Sequence, residues 1–356
     1  MNIAVVGVGL IGGSIALAAR ERLGASVAGY DRSDEALATA RDRGALDRSC
    51  TTLSDAVAEA EAVFVAVPVG ALPAAVADVL AVAGPDCVVS DVGSTKRAVV
   101  AAHDDPRFVG GHPLAGAENA GVEHARADLF EGATWYLTPT SHTSGLLYDR
   151  LYRLLRSLGA RPGAIDAETH DTILATVSHL PHVLANVLVS QAARALAEGD
   201  ERLPATGPSF RDATRVAGAP SAIWTDIYVS NSDALAAEID GTIELLTRVR
   251  EALRAGDRSA ITRWNDAAAA DRRRLLEAQL AGGPLFELRA SVPNRPGVIA
   301  ELALELGRSG VNITDMALYP AADMTEGVVA LWIAGEDAAL RTEKLVSGLG
   351  FPVARA

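Results

Sequence analysis

The sequence predicts an α/β protein built on a Rossmann-type doubly wound parallel sheet, followed by an all-helical segment and a small βαββαβ module. Three observations carry this. Apolar runs of strand length alternate with helical stretches through residues 1–165. A glycine triplet sits between the first strand and the first helix. Long helical periodicity takes over at Asp166 and gives way again after residue 282.

The bulk numbers narrow the class. A chain of 356 residues is long enough for two or three domains, each with its own core. Its 49% apolar and 22% charged residues are ordinary for a soluble globular protein. A net charge of −13 argues against a non-specific grip on nucleic acid or an anionic membrane. Two cysteines, Cys50 and Cys87, build neither a disulfide framework nor a structural zinc site, and they suit a reducing cytoplasm. The apolar opening "MNIAVVGVGLIGGSIALAA" has no Lys or Arg ahead of it and is broken by four glycines. It reads as strand, turn and helix, not as a signal peptide or membrane span.

In "NIAVVGVGLIGGSIALAARERL" a β-branched strand leads into Gly7, Gly9 and Gly12 in G-x-G-x-x-G spacing, with Leu10 and Ile11 opening the helix. This is the Rossmann-type phosphate turn. The first glycine makes the turn, the second lets backbone approach a pyrophosphate, and the third lets helix and strand pack closely. The next strand, "SVAGYD", ends in Asp31, nineteen residues past Gly12, where a carboxylate takes the ribose hydroxyls of NAD. Arg32 follows and is able to hold a 2′-phosphate, so NAD is favoured over NADP rather than fixed. An ordinary loop aspartate beside a glycine-rich turn explains the coincidence of motif, flanks and acid spacing less well.

The strand "AVFVAVP" ends at Val67 and Pro68, a further edge for the cofactor, and "VGALPAAVADVLAVAG" has the length of a crossover helix. The strand in "DCVVSDVGSTK" ends in a polar turn with Ser94 and Lys96. After "RFVGG" comes "GGHPLAGAENAG", which sets His112 and Glu118 among residues too small to pack a core. Ligands of such sheets sit at the carboxyl ends of the strands. A slim loop there leaves room for a substrate.

From Asp166, "AETHDTILATVSHLPHVLANVLVSQAARALAEG" is one long helical pattern holding His170, Ser178, His179 and His182, with Pro181 inside. It has no H-E-x-x-H pattern, no nearby cysteine, and a proline between its close histidines, so no metal is expected. Buried, hydrogen-bonded histidines are the ordinary account. "SFRDATRVAGAPSAIWTDIYVSN" brings Arg211, Asp212, Arg215, Trp224 and Asp226 together. A solvated helix face explains such charges; so does a grip on carboxylates, for which Arg is suited. Residues 234–280 read as two amphipathic helices that pack on each other or across a dimer. After "GGP" the tail reads as a strand, a turn at Asn294–Gly297, a helix over 297–308, a strand from Val311, then another strand and helix.

Five blocks in order, "GVGLIGGS", "DVGSTK", "GGHPLAGAENAG", "HDTILATVSHLPH" and "FRDATRVAGAPSAIWTDI", together resemble the prephenate/arogenate dehydrogenase family of tyrosine biosynthesis. The resemblance implies oxidative decarboxylation of prephenate by NAD⁺. It makes His112 the proton acceptor, has Ser94 orient His112 and the nicotinamide, and puts His182 in the substrate pocket with His179. Arg215 then holds a substrate carboxylate, Glu118 and Asp212 shape the pocket, and Trp224 packs nearby. Ala117 and Ala120 stand where the family often has hydroxyl residues, which leaves prephenate and arogenate both open as substrates. The tail, with "NRPGVIAEL" and "GVNITDM", resembles the ACT domain, a small amino-acid-sensing module. That implies tyrosine feedback with Asn294, Gly297 and Asn312 as effector contacts, against the alternative of a purely structural dimerisation lobe.

The expected organisation is a dinucleotide-binding domain over 1–165, a helical substrate and dimerisation domain over 166–282, and the ACT-like domain over 283–356, in a cytoplasmic homodimer. A non-catalytic sensor of NAD and an amino acid competes, but it needs neither a base nor a carboxylate clamp. A hydroxyacid dehydrogenase of 6-phosphogluconate type would place a lysine on the long helix, and residues 166–198 contain none.

Overall fold

The computed structural model describes residues 1–116, 120–197, 207–280, 285–321 and 325–356. They fall into two compact units, one of Met1–Asp171, Pro220–Ser230 and Leu285–Ala356, the other of Thr172–Ala219 and Asn231–Pro284.

The first unit holds an eight-stranded sheet in the order β3-β2-β1-β4-β5-β6-β7-β8. Its strands are β1 Asn2–Val6, β2 Ser26–Tyr30, β3 Arg48–Ser49, β4 Ala62–Val65, β5 Val88–Asp91, β6 Phe108–Pro113, β7 Thr134–Thr138 and β8 Arg161–Ala164. The first six pair in parallel, as the alternation of strands and helices requires. Their near-continuous apolar runs reflect burial on both faces: Val5, Val27, Phe64 and Val89 are all inaccessible. β7 then runs antiparallel to β6, setting His112 opposite Tyr136.

The tail forms a four-stranded antiparallel sheet of β9 Leu285–Pro293, β10 Ile313–Pro320, β11 Glu326–Ala334 and β12 Val353–Arg355, in the order β10-β11-β9-β12. Helices Val298–Arg308 and Glu336–Gly348 complete the βαββαβ order. The strand expected from Val311 starts at Ile313. β10 is a sheet edge, and the helix Gly145–Ser157 covers it. Asp149 accepts from the Leu318 amide at 3.0 Å, Arg153 donates to the Leu318 carbonyl at 3.1 Å, and Arg156 donates to the Thr314 carbonyl at 3.3 Å. Just before that helix, Ser141 lies so close to Gly297, at φ +83°, that a Cβ on the glycine would collide, and the Gly297 amide donates to the Thr143 carbonyl at 2.8 Å.

The second unit is helical, and its first helix begins within the last residues of the first unit's Met1–Asp171 segment. The long helix runs α-helical over Ala167–Leu174, widens to a π-turn over Ala175–His179, and continues over Leu180–Ala197. Pro181 accounts for the widening: it lacks an N–H, and its ring would strike the carbonyl four residues back in a regular α-helix. The two expected amphipathic helices are Ser232–Ala255 and Arg258–Leu280. The segment with Trp224 behaves differently from its flanks. Helix Ser221–Ser230 groups with the first unit, where Asp226 accepts from the Gly70 amide at 3.3 Å and Ser230 pairs with Thr95 at 3.0 Å.

Candidate active site

The glycine turn has the shape a dinucleotide needs. Gly7 sits at φ +93°, and a Cβ on Gly12 would collide with the Gly7 carbonyl, so neither position admits a side chain. Gly9 has open space where its Cβ would be, on the side a pyrophosphate approaches. Asp31 accepts from the Val8 amide at 2.6 Å and the Ser33 amide at 2.9 Å, tying the second strand to the turn. A carboxylate has about four lone-pair sites, so two remain for ribose hydroxyls. Leu10, Ile11 and Val67 are half-buried around this turn, while Arg32 and Pro68 are exposed.

At the ends of β5 and β6 the structure assembles a buried polar cluster. Asp91, Lys96, His170 and Asp171 are each inaccessible, and His112 is 8% exposed. The Lys96 ammonium pairs with the Asp91 carboxylate and donates to the Gly111 carbonyl at 2.7 Å. Asp91 also accepts from the amides of Gly111 at 3.1 Å and Gly93 at 2.8 Å. The residue before His112 is therefore clamped through both its N–H and its C=O. Burial pulls the Lys96 ammonium below the ordinary lysine range, against the pull of Asp91.

Nδ1 of His112 lies 2.9 Å from Nε2 of His170, whose own Nδ1 lies 2.8 Å from Oδ1 of Asp171. Asp171 also accepts from the amides of Lys96 at 2.7 Å and Arg97 at 2.9 Å. Burial pushes the Asp171 carboxyl up, but hydrogen bonds from His170, Arg97 and Lys96 outweigh it and hold the group below its usual range. Burial also holds His170 below its usual range. Both depressed values mean stability present at neutral pH and lost on acidification, through the histidine range first and the carboxylate range after it. Tyr136 stands edge-on to His170, ring centroids 5.7 Å apart. Ser94 is half-buried on the loop after β5.

His182 and Arg215 both belong to the second unit. Burial lowers the affinity of His182 for a proton, and the nearby Arg215 charge adds to that. His182 Nδ1 lies 3.1 Å from the Ser178 carbonyl, while His179 is 1% exposed with Asn231 at 3.2 Å from its Nδ1. Both Nδ1 atoms are thus engaged by protein groups, and among the described residues no cluster of three or more His, Cys, Asp or Glu is placed for a metal. Asp212 and Arg215 are exposed, and Trp224 is half-buried with its ring 5.4 Å from Tyr228. Glu118 and Ala117 lie outside the described residues.

The expected effector contacts do not come together within one chain. Asn294 lines a cleft with Gly145, Pro293, Leu318 and Glu326 at the end of β9. Asn312 opens β10, which runs in the same direction as β9, so it lies at the opposite end of the module. The helix between them has 11 residues, about 16 Å of rise. Asn294, Gly297 and Asn312 therefore do not form one pocket in a single chain, and the Gly297 amide is already spent on Thr143.

Sequence reasoning passed over Asp91, His170 and Asp171 as site members and gave Lys96 no role. The signals were present: an acid closing a buried strand in "VVSDV", and an adjacent His-Asp pair at the start of an otherwise apolar helix.

Residues 15–163 match the family model described as the prephenate dehydrogenase nucleotide-binding domain, and residues 166–266 match the prephenate dehydrogenase dimerization domain. The chain belongs to the prephenate dehydrogenase family. The Bacillus subtilis prephenate dehydrogenase is 33% identical over 356 residues, covering 97% of this chain and 95% of that protein. The cyclohexadienyl dehydrogenase of Zymomonas mobilis is 35% identical over 264 residues, 72% of this chain and 89% of that one. The A. aeolicus prephenate dehydrogenase, solved in complex with hydroxyphenyl propionate and NAD⁺, superposes with a TM-score of 0.70 at 28% identity. That match covers 77% of this chain and 98% of that one.

Within a family nucleotide-binding domain, Gly9 and Gly12 are expected to fail differently. Gly9→Ala should melt like wild type yet weaken dinucleotide binding roughly tenfold or more, about 1.4 kcal/mol for one steric misfit. Gly12→Ala should also lose about 1–3 kcal/mol of stability to the overpacked turn. Thermal melts and a cofactor fluorescence titration separate the two.

Proposed function

We propose that the protein is an NAD-dependent prephenate dehydrogenase, producing 4-hydroxyphenylpyruvate and CO₂. The observation that carries this reading is His112 at the end of β6, held by a buried histidine and carboxylate in a domain that also carries a dinucleotide turn. A redox sensor has no need of such a base. NAD⁺, when bound along Gly7, Gly9, Gly12 and Asp31, supplies the hydride acceptor. His112 takes the proton of the substrate's ring hydroxyl as the carbinol carbon gives up its hydride. The ring carboxylate then leaves as CO₂, its bonding electrons aromatise the ring, and His112 returns the proton to the phenolate oxygen.

Ser94 orients His112 and the nicotinamide, and His182 and Arg215 serve the substrate, Arg215 as the fork that grips a carboxylate. His179, Asp212, Trp224 and Glu118 belong to the pocket on the family resemblance. Arg215→Ala is expected to raise KM for the substrate about 10–100-fold, the worth of a charge-assisted hydrogen bond, with a smaller change in kcat. Steady-state kinetics check it, and an unchanged KM moves the clamp elsewhere.

The active form is a homodimer. Val177, Val187 and Leu188 on the long helix, and Ile243, Leu245, Leu246 and Leu253 on Ser232–Ala255, are large apolar residues left exposed in the dimerization domain. The helix over Ala167–Arg194 is long and apolar enough to cross a membrane by length and composition. An apolar dimer face accounts for the same composition. The free, buried Cys50 and Cys87 suit a cytoplasmic setting. The tail is an ACT-like regulatory module for tyrosine, with the Asn294 cleft as its contact.

The test is initial-rate NADH formation by purified protein with NAD⁺ and either prephenate or arogenate, each with and without tyrosine. Turnover of prephenate supports the reading, and the ratio of the two rates assigns the substrate. Absence of turnover with both substrates, alongside NAD binding, overturns it in favour of a sensor.

A further inference from the structure

We propose that His170 and Asp171 are positioning residues that fix the tautomer of His112, keeping its proton on Nδ1 and its lone pair on Nε2. The inference rests on the reading of His112 as the proton acceptor and adds which nitrogen does the work and what selects it.

The chain of reasoning starts at the carboxylate. Asp171 is ionised and can only accept, and its Oδ1 receives the Lys96 amide and lies 2.8 Å from His170 Nδ1. That nitrogen must therefore carry a proton. His170 is inaccessible to solvent, and its burial keeps the ring neutral, so the other nitrogen, Nε2, is bare. His170 Nε2 is 2.9 Å from His112 Nδ1, and a contact at that distance needs one donor. With Nε2 of His170 unprotonated, the donor is His112. A neutral His112 protonated at Nδ1 holds its lone pair at Nε2, the nitrogen left to take a substrate proton.

Proton transfer then balances without a second acceptor. The hydroxyl proton bonds to Nε2, the ring becomes imidazolium, and its Nδ1–H still donates to His170. The new charge is felt by Asp171 through one neutral ring. The other groups around the pair are the Lys96 ammonium and Asp91 from the β5 side, the Arg97 guanidinium 3.4 Å from Asp171, and the Tyr136 ring from β7. The sequence achieves this with an adjacent pair: His170 reaches β6 while Asp171 caps the amides of Lys96 and Arg97.

The decisive experiment reads the tautomer directly. The full chain, labelled with ¹⁵N-histidine, is examined by long-range ¹H–¹⁵N correlation, the His112 signals being assigned by their loss in His112→Asn. The expected result is His112 protonated at Nδ1 in the resting protein. Asp171→Asn, which gives His170 a partner able to donate, should move His112 toward Nε2–H and lower kcat on the order of 100-fold or more with little change in KM. A role in folding alone would lower the melting temperature and leave the tautomer as it was. His112 protonated at Nε2 in the wild-type protein overturns the proposal, and so does Asp171→Asn with its tautomer unmoved. The measurement needs no turnover, so an inactive protein with Nδ1–H at His112 supports the positioning role and sinks only the substrate reading.

Discussion

His112→Asn is expected to lower kcat by about 10²–10⁴-fold while dinucleotide affinity and melting temperature stay close to wild type. The two halves of that expectation come from the same geometry. Asparagine places an amide nitrogen near the position of Nδ1, so a donor to His170 Nε2 is kept and the buried cluster is not left with an unmade hydrogen bond. What is lost is the second ring nitrogen, and with it the lone pair that takes the substrate proton. The glycine turn and Asp31 are untouched, so cofactor titration should overlay that of wild type. Single-turnover kinetics at saturating substrate separate chemistry from binding. Wild-type turnover in the variant would remove His112 from the chemistry and return attention to Ser94 and the helical histidines.

What was legible in the sequence follows from how local the physics is. The glycine triplet and Asp31 are read within one strand–turn–helix unit, where each residue's duty is set by immediate neighbours. His112 stood out because a titratable ring among glycines and alanines has no obvious packing purpose; the expected loop proves to start only after it, since His112 itself belongs to strand β6. The π-turn over Ala175–His179 was implicit in Pro181, yet a proline in a helical pattern predicts a disturbance without saying whether the helix kinks, ends or widens. Lys96 was visible only as a polar residue at a strand end, because its partners Asp91 and Gly111 come from two different strands and their meeting is tertiary. The same holds for helix Ser221–Ser230. Its periodicity resembles that of its neighbours, and only the contacts with Gly70 and Thr95 reveal that it belongs to the other unit. Asn294 and Asn312 show what a motif leaves out: strand direction sends the two residues to opposite ends of the module.

Lys96→Met is the variant expected to damage the fold most, by about 3–5 kcal/mol, because it leaves the Asp91 carboxylate buried without its ammonium partner. For a unit of this size that is a fall in melting temperature of roughly 10 °C. The methionine matches the lysine stem in length and polarity, so packing changes little and the charge is the variable. Asp91 keeps the amides of Gly93 and Gly111, which offset part of the loss and favour the lower end of the range. The double variant Asp91→Asn with Lys96→Met tests the cause. Removing both charges should recover part of the loss, with a coupling of about 0.5–3 kcal/mol in a double-mutant cycle of urea melts. Purely additive effects would mean that the two residues do not act as a pair. Activity should fall in the single variant as well. The ammonium holds the Gly111 carbonyl, and a displacement of the next residue by about 1 Å is enough to cost on the order of 10²-fold in rate. The buried ion pair thus acts on turnover through the place it assigns to His112, and the cycle measured on kcat should show the same sign of coupling as the cycle measured on stability.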